Sequence, residues 1–140
     1  MTQMTTPNMA RTSLATLILI GLLAGCSGAP DPSMELGGIN TGEVLAGLLA
    51  RTERAIGKIN SVDSAKLVKV ELQRINEDYD DLLYHIPKLS PEGRQAIAHE
   101  SAQALPGMKA MVNQIHEMPA LDEILGETLD QMVEKLERVW

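Results

Sequence analysis

Apolar side chains recur at intervals of three and four residues from residue 45 to residue 136. This spacing places them along one face of an α-helix, and no stretch shows the strict alternation of a half-buried strand. Small polar residues and prolines divide the pattern into helix-sized pieces. The chain is therefore predicted to be all-α. The predicted inward face of the second helix is Val62, Ala65, Val68, Leu72, Ile75, Tyr79, Leu82 and Ile86.

The first half of this region contains one helix start and one break. Thr41 is predicted to cap the first helix, and Ser61 or Asp63 can cap a second one. Because the break near Ser61 is short, residues 41–86 could also form one long bent helix. Pro87 ends the pattern, since proline cannot continue a helix without losing a hydrogen bond.

The second half is marked by prolines. Ser90 before Pro91 is a helix start, with a capping hydroxyl group and proline at the first helical position. The apolar pattern runs through Pro106 without a change of phase, which predicts one kinked helix, and Pro119 begins the last helix. Links of two to six residues favour antiparallel neighbours. We therefore predict a small up-and-down bundle of three to four helices over residues 41–140.

The N-terminus carries a different signal. Arg11 is followed by an uncharged apolar run that ends in Leu23-Ala24-Gly25-Cys26. A basic residue, an apolar run and small residues at the cut are the parts of a secretory signal peptide. The last four residues resemble the lipobox of bacterial lipoproteins. That resemblance implies cleavage between Gly25 and Cys26, so residues 1–25 are the signal peptide.

Three other interpretations fit the apolar run less well. A transmembrane helix needs about 20 apolar residues, and this run has twelve, Leu14 to Gly25. A plain signal peptide would leave Cys26 without a role. A buried helix of a cytosolic protein fits poorly with the Pro- and Gly-rich stretch that follows.

The lipobox resemblance implies that Cys26 carries a covalent lipid, the only cofactor-like group expected. At least two acyl chains are needed for stable anchoring, and a lipoprotein cysteine carries a diacylglycerol. Residues 26–40 are then the lipidated cysteine and a flexible tether. In this family Ser27 after the cysteine implies the outer membrane, facing the periplasm. Cys26 is the only cysteine, so the mature domain must fold without a disulfide.

Charge and aromatic content exclude several kinds of partner. From residue 26 onward the chain holds 11 basic and 19 acidic residues, a formal charge of −8. Such a domain is repelled by phosphate backbones, so no nucleic-acid partner is expected. Tyr79, Tyr84 and Trp140 are the only aromatic residues, which leaves little for stacking on sugars or bases.

One group of side chains could hold a metal. Met108, Met111, His116 and Met118 lie within eleven residues, and thioether and imidazole ligands suit copper(I). However, Met108 and Met111 also belong to the apolar face, where methionine is an ordinary core residue. Core packing is the favoured interpretation, and copper binding is the alternative.

The other polar groups point to a solvated surface. Glu77, Asp78, Asp80 and Asp81 surround Tyr79, but in a helical pattern with Tyr79 inward they form an exposed acidic face. A calcium loop would require a sharp glycine turn that is absent here. The chain contains none of the common nucleophile, zinc-protease or phosphate-loop motifs, so no enzyme activity and no substrate are expected.

A second, weaker resemblance covers about residues 41–137. Ile59 to Ala65 reads Ile-x-x-x-Asp-Ser-Ala, and Ile115 to Pro119 reads Ile-x-x-x-Pro. Both are similar to pieces of small uncharacterised helical envelope proteins, a likeness that implies no known activity. The sequence thus predicts a lipid-anchored envelope protein with a protein-binding or structural accessory role. The copper alternative remains open.

Overall fold

The computed structural model describes residues 29–139, which form an all-α bundle. Four helices make up the bundle: α1 is Thr41–Gly57, α2 is Val62–His85, α3 is Pro91–His116 and α4 is Pro119–Glu137. A short 3-10 helix, Ile86–Lys88, links α2 to α3. Among the described residues no helix is both long and apolar enough to cross a membrane.

The helix boundaries follow the polar signals, with one shift. Ser61 caps α2 in a reciprocal pair with Ser64, and Ser90 caps α3 ahead of Pro91. The first helix is capped by Asn40 and not by Thr41, because the Asn40 side chain accepts the Glu43 amide hydrogen. Residues 41–86 therefore form two helices, separated at residues 58–61.

Proline has two different effects in this chain. Pro106 lies inside α3, which continues unbroken for 26 residues as the apolar phase predicts. Pro119 stands in the first turn of α4, where a missing amide hydrogen costs nothing.

The directions of the helices can be read from the bonds between them. Ion pairs Arg51–Asp78 and Lys58–Glu71 join α1 to α2. The residue numbers increase along α1 while those of the partners in α2 decrease, so these helices are antiparallel. The α3–α4 pair is also antiparallel, with Ser101 Oγ donating to the Leu136 carbonyl group.

The α2 and α4 helices, in contrast, are parallel neighbours. Asn76 bonds Gln131 and Asp80 pairs with Lys135, so the two numbers rise together. The chain thus runs up, down, up and down, but α2 packs on α1 and α4 and has little contact with α3. Consecutive helices were predicted to be neighbours, and for α2 and α3 this is wrong. Periodicity shows which face is apolar but not which helix covers it.

The core is formed by the predicted faces with one clear exception. Leu72, Ile75 and Tyr79 of α2 are almost completely buried. Val62, predicted to point inward, is 42% exposed because it is the first residue of α2 and projects beyond the end of α1.

Residues 31–40 are ordered, although the sequence predicted a flexible tether there. Pro32–Met34 form a 3-10 helix, and Glu35–Leu36 (β1) pairs antiparallel with Ile39–Asn40 (β2), with Glu35 opposite Asn40. Gly37 and Gly38 form the turn with positive φ angles, which glycine adopts without strain. We call residues 31–40 the N-terminal strap.

The strap closes the seam between α1 and α3. Met34 is buried and lies against Gly42 of α1, and the Thr41 hydroxyl group donates to the Met34 carbonyl oxygen at 2.8 Å. On the other side, the Ser33 carbonyl oxygen lies where a Cβ on Gly93 of α3 would be. Because Gly42 and Gly93 carry no side chain, they admit the strap and are thus part of the fold.

Candidate functional site

One surface groove of the bundle lies between the starts of α2 and α4. Its volume is about 490 Å³. We call it the α2–α4 groove, and it is lined by Val62, Lys66, Lys69, Ala120, Glu123 and Ile124.

The groove is positioned by a polar network about two to three turns further along both helices. Asn76 Nδ2 donates to Gln131 Oε1 at 2.9 Å. Lys135, with a side chain only 14% exposed, donates to the Asn76 carbonyl oxygen and forms a 2.7 Å ion pair with Asp80. Because these bonds fix α4 alongside α2, the two walls of the groove are held at a constant separation.

The groove combines an apolar floor with cations. Val62 is 42% exposed and Ile124 is half-buried. Lys66 is 3.9 Å from Asp63 in an exposed pair, too loose to matter, and within residues 29–139 Lys69 forms no ion pair. In a chain with a net charge of −7, two lysines beside exposed apolar carbon are a local exception.

A second groove of about 360 Å³ lies at the other end of the bundle, between the α2–α3 link and the end of α4. Its cations are engaged within the domain. Arg94 donates to the Leu89 carbonyl oxygen at 2.7 Å, and Arg138 pairs with Glu134. This groove therefore offers a partner less unsatisfied charge than the α2–α4 groove does.

The predicted acidic face of α2 is confirmed in part. Tyr79 points inward and is 1% exposed, and burial raises the pKa of its phenol above the ordinary value. Asp78 and Asp80 are engaged in ion pairs with Arg51 and Lys135. Glu77 and Asp81 face solvent.

The methionine and histidine side chains of the predicted copper group lie in different surroundings. Met108 is fully buried in the core, and Met111 and Met118 are half-buried against it. His116 instead lies between two carboxylates of α4, with Nδ1 2.6 Å from Asp122 and Nε2 2.9 Å from Asp130. Core packing is what the structure shows for Met108, and copper binding by the group remains a prediction.

His116 is held in place with the help of Gly126, a residue that no sequence pattern singled out. A Cβ on Gly126 would lie 2.2 Å from Asp122 Oδ1, so only glycine leaves the Asp122–His116 pair its position over α4. Hydrogen bonds to Asp122 and then to Asp130 raise the pKa of His116. As the imidazolium, His116 donates through both nitrogens and has no lone pair for a metal.

This arrangement predicts a specific pH dependence for His116→Gln. A raised folded-state pKa contributes stability that is present below the ordinary histidine value of about 6.5 and is lost as pH rises through the folded value. Because the site is exposed, the contribution is about 1 kcal/mol or less. In urea unfolding, the free energy of unfolding of the wild type should exceed that of His116→Gln by more at pH 6 than at pH 9. Asp130→Asn should reduce that difference. A stability difference independent of pH would contradict the stabilisation of protonated His116 by Asp122 and Asp130.

Among residues 29–139 no group of three or more His, Cys, Asp or Glu side chains is arranged to hold a metal ion. The predicted cleavage and lipidation residues, Gly25 and Cys26, lie outside the described residues. Comparison of the chain with protein-family models, with curated proteins and with solved structures finds no match.

Proposed function

We propose that this protein is a lipid-anchored lipoprotein of the bacterial envelope whose bundle binds another envelope protein through the α2–α4 groove. Cys26 would carry the lipid after cleavage at Gly25, and Ser27 favours the outer membrane facing the periplasm. The role is that of an accessory module without enzyme activity. The observation that carries the proposal is the groove itself, in which exposed apolar carbon is flanked by two lysines. Within residues 29–139 Lys69 forms no ion pair, and Lys66 has only an exposed 3.9 Å contact with Asp63.

The position of the groove indicates that its partner is a protein and not the membrane that holds the lipid anchor. The strap lies at the starts of α1 and α3. Only four residues lie between Cys26 and Asp31, so the lipid would be within about 18 Å of that end. The groove lies at the starts of α2 and α4, which is the opposite end. Because α1 has 17 residues, the ends are about 26 Å apart.

The chemistry of the groove defines the partner segment. Val62, Ala120 and Ile124 would cover apolar side chains, and Lys66 and Lys69 would pair with carboxylates. An amphipathic helix with acidic residues beside its apolar stripe meets both requirements, and helix-in-groove docking is a common mode of recognition. Charge complementarity of this kind contributes mainly to specificity and association rate.

A photo-crosslinking residue in place of Val62 tests the proposal in cells. Since Val62 is exposed, the substitution should leave the fold intact. We expect one adduct with an envelope protein, mapped by mass spectrometry to an acidic amphipathic segment. The double change Lys66→Glu and Lys69→Glu should reduce the adduct at least about tenfold, because like charges then face each other.

The matched control changes two exposed cations elsewhere, Arg54→Glu with Lys88→Glu, for the same change in net charge. This variant should keep the adduct. An adduct that survives the Lys66 and Lys69 reversal, or one that maps to a segment without acidic residues, would overturn the groove proposal. The absence of any adduct would also count against it.

A further inference from the structure

The outer face of α2 carries a second stripe at spacings of three and four residues, distinct from the α2–α4 groove. Its apolar members are the most exposed large side chains of the helix, with Leu67 at 76%, Tyr84 at 67% and Val70 at 52%. Its charged members are also exposed. We call this the α2 outer stripe, and it consists of Leu67, Val70, Arg74, Glu77, Asp81 and Tyr84.

The charges of the outer stripe are unpaired within the described chain. Elsewhere on α2, charges that lie toward α1 or α4 have partners, such as Asp78 with Arg51 and Asp80 with Lys135. Within residues 29–139, Arg74, Glu77 and Asp81 form no ion pair. Unpaired charge and exposed apolar surface are thus collected on the one face of α2 that no neighbouring helix covers.

The spacing of the stripe residues is the same in both directions along the helix. Its intervals of three, four, three, four and three residues are symmetric about a point between Ile75 and Asn76. Its charges are opposite in the two halves, with Arg74 before that point and Glu77 and Asp81 after it. An antiparallel second copy therefore places Arg74 opposite Glu77 and Leu67 opposite Tyr84, each twice.

We propose that the protein forms a homodimer in which two α2 outer stripes pack antiparallel about a twofold axis between residues 75 and 76. Such a contact is isologous, the usual form of a homodimer interface. Asp81 then lies opposite Val70, one helical turn from both Lys66 and Arg74 of the partner. Spacings of three and four residues are those at which two α-helices pack along their length.

A second copy fits this face better than a partner of uniform charge. An acidic helix would meet Glu77 and Asp81, and a basic helix would meet Arg74 and Lys66. Only a surface with the reverse order of charges complements both halves. A second copy of the stripe in antiparallel orientation is such a surface. The eighteen residues from Leu67 to Tyr84 rise about 26 Å, so the contact would be narrow.

The dimer is expected to be weak and sensitive to salt. Its central layers are exposed ion pairs, which salt screens strongly. Confinement of both copies by lipid anchors to one membrane would raise their effective concentration and favour the contact.

Charge reversal with rescue tests the dimer on the full-length protein purified in detergent. Sedimentation equilibrium in density-matched detergent should show a concentration-dependent dimer for wild type. Arg74→Glu and Glu77→Arg should each raise the dissociation constant at least about tenfold, since each creates two like-charge contacts. The double variant R74E/E77R restores opposite charges and should return the constant to within about threefold of wild type.

Arg54→Glu on α1 is the matched control, because it makes the same change in charge away from the stripe and should leave the constant unchanged. A monomeric wild type would overturn the proposal. Failure of the double variant to recover, or equal weakening by Arg54→Glu, would also overturn it. The charge-reversal test can be distinguished from the groove test, since Arg74 and Glu77 do not line the groove, although Lys66 borders both surfaces.

Discussion

Replacing Cys26 with alanine should abolish covalent lipid on this protein. Thioether attachment requires a thiol, and Cys26 is the only cysteine in the chain. Wild type grown with a clickable palmitate analogue should therefore be labelled and should pellet with membranes. Cys26→Ala should carry no label above background and should migrate as the longer, uncleaved form.

A neighbouring substitution separates loss of lipid from loss of expression. Ser27→Ala preserves the thiol and should retain the label, although it changes the residue that would influence sorting. Equal labelling of wild type and Cys26→Ala would show that Cys26 is not the acceptor, and the anchoring proposal would then fail. The groove and dimer proposals would still stand, because both concern the folded domain.

Local rules were sufficient to predict most helix boundaries, although they left open whether residues 41–86 form one helix or two. Ser61 and Ser90 satisfy free amide hydrogens at helix starts, and such signals act within a few residues of sequence. The continuation of α3 through Pro106 could also be predicted, because the apolar positions keep their phase on both sides of the proline.

Arrangement in space could not be predicted in the same way. The apolar face of α2 fits against α3 as well as against α4, and the choice depends on how all four faces pack together. Since the groove exists only because α2 and α4 are parallel neighbours, its residues could not be grouped from the sequence.

The strap was missed because its stabilising contacts are distant in sequence. Prolines and glycines in residues 27–40 indicated a flexible tether. What orders residues 31–40 is burial of Met34 and the approach of Ser33 to Gly93, sixty residues further along. The consequence for an anchored protein is a short tether, which would hold the strap end of the bundle close to the bilayer.

Gly93→Ala should lower the free energy of unfolding by about 1–3 kcal/mol, a typical cost of forcing an extra carbon into a packed site. An added Cβ would lie 2.1 Å from the Ser33 carbonyl oxygen, and backbone cannot move aside as a side chain can. The strap must shift away from α3, which would also expose Met34. Urea unfolding measures the stability, and limited proteolysis should show faster cleavage within residues 31–40.

The control for this prediction is a glycine-to-alanine change at another helical position. A Cβ on Gly47 of α1 meets nothing within 4 Å, so Gly47→Ala should stabilise the protein by about 0.5–1 kcal/mol through helix propensity. Gly42→Ala should fall between the two, because its nearest contact is the flexible Met34 side chain. If Gly93→Ala stabilised the protein as Gly47→Ala does, the strap would not pack on α3. The short tether inferred from that packing would then be wrong, and the bundle would stand further from the lipid than proposed.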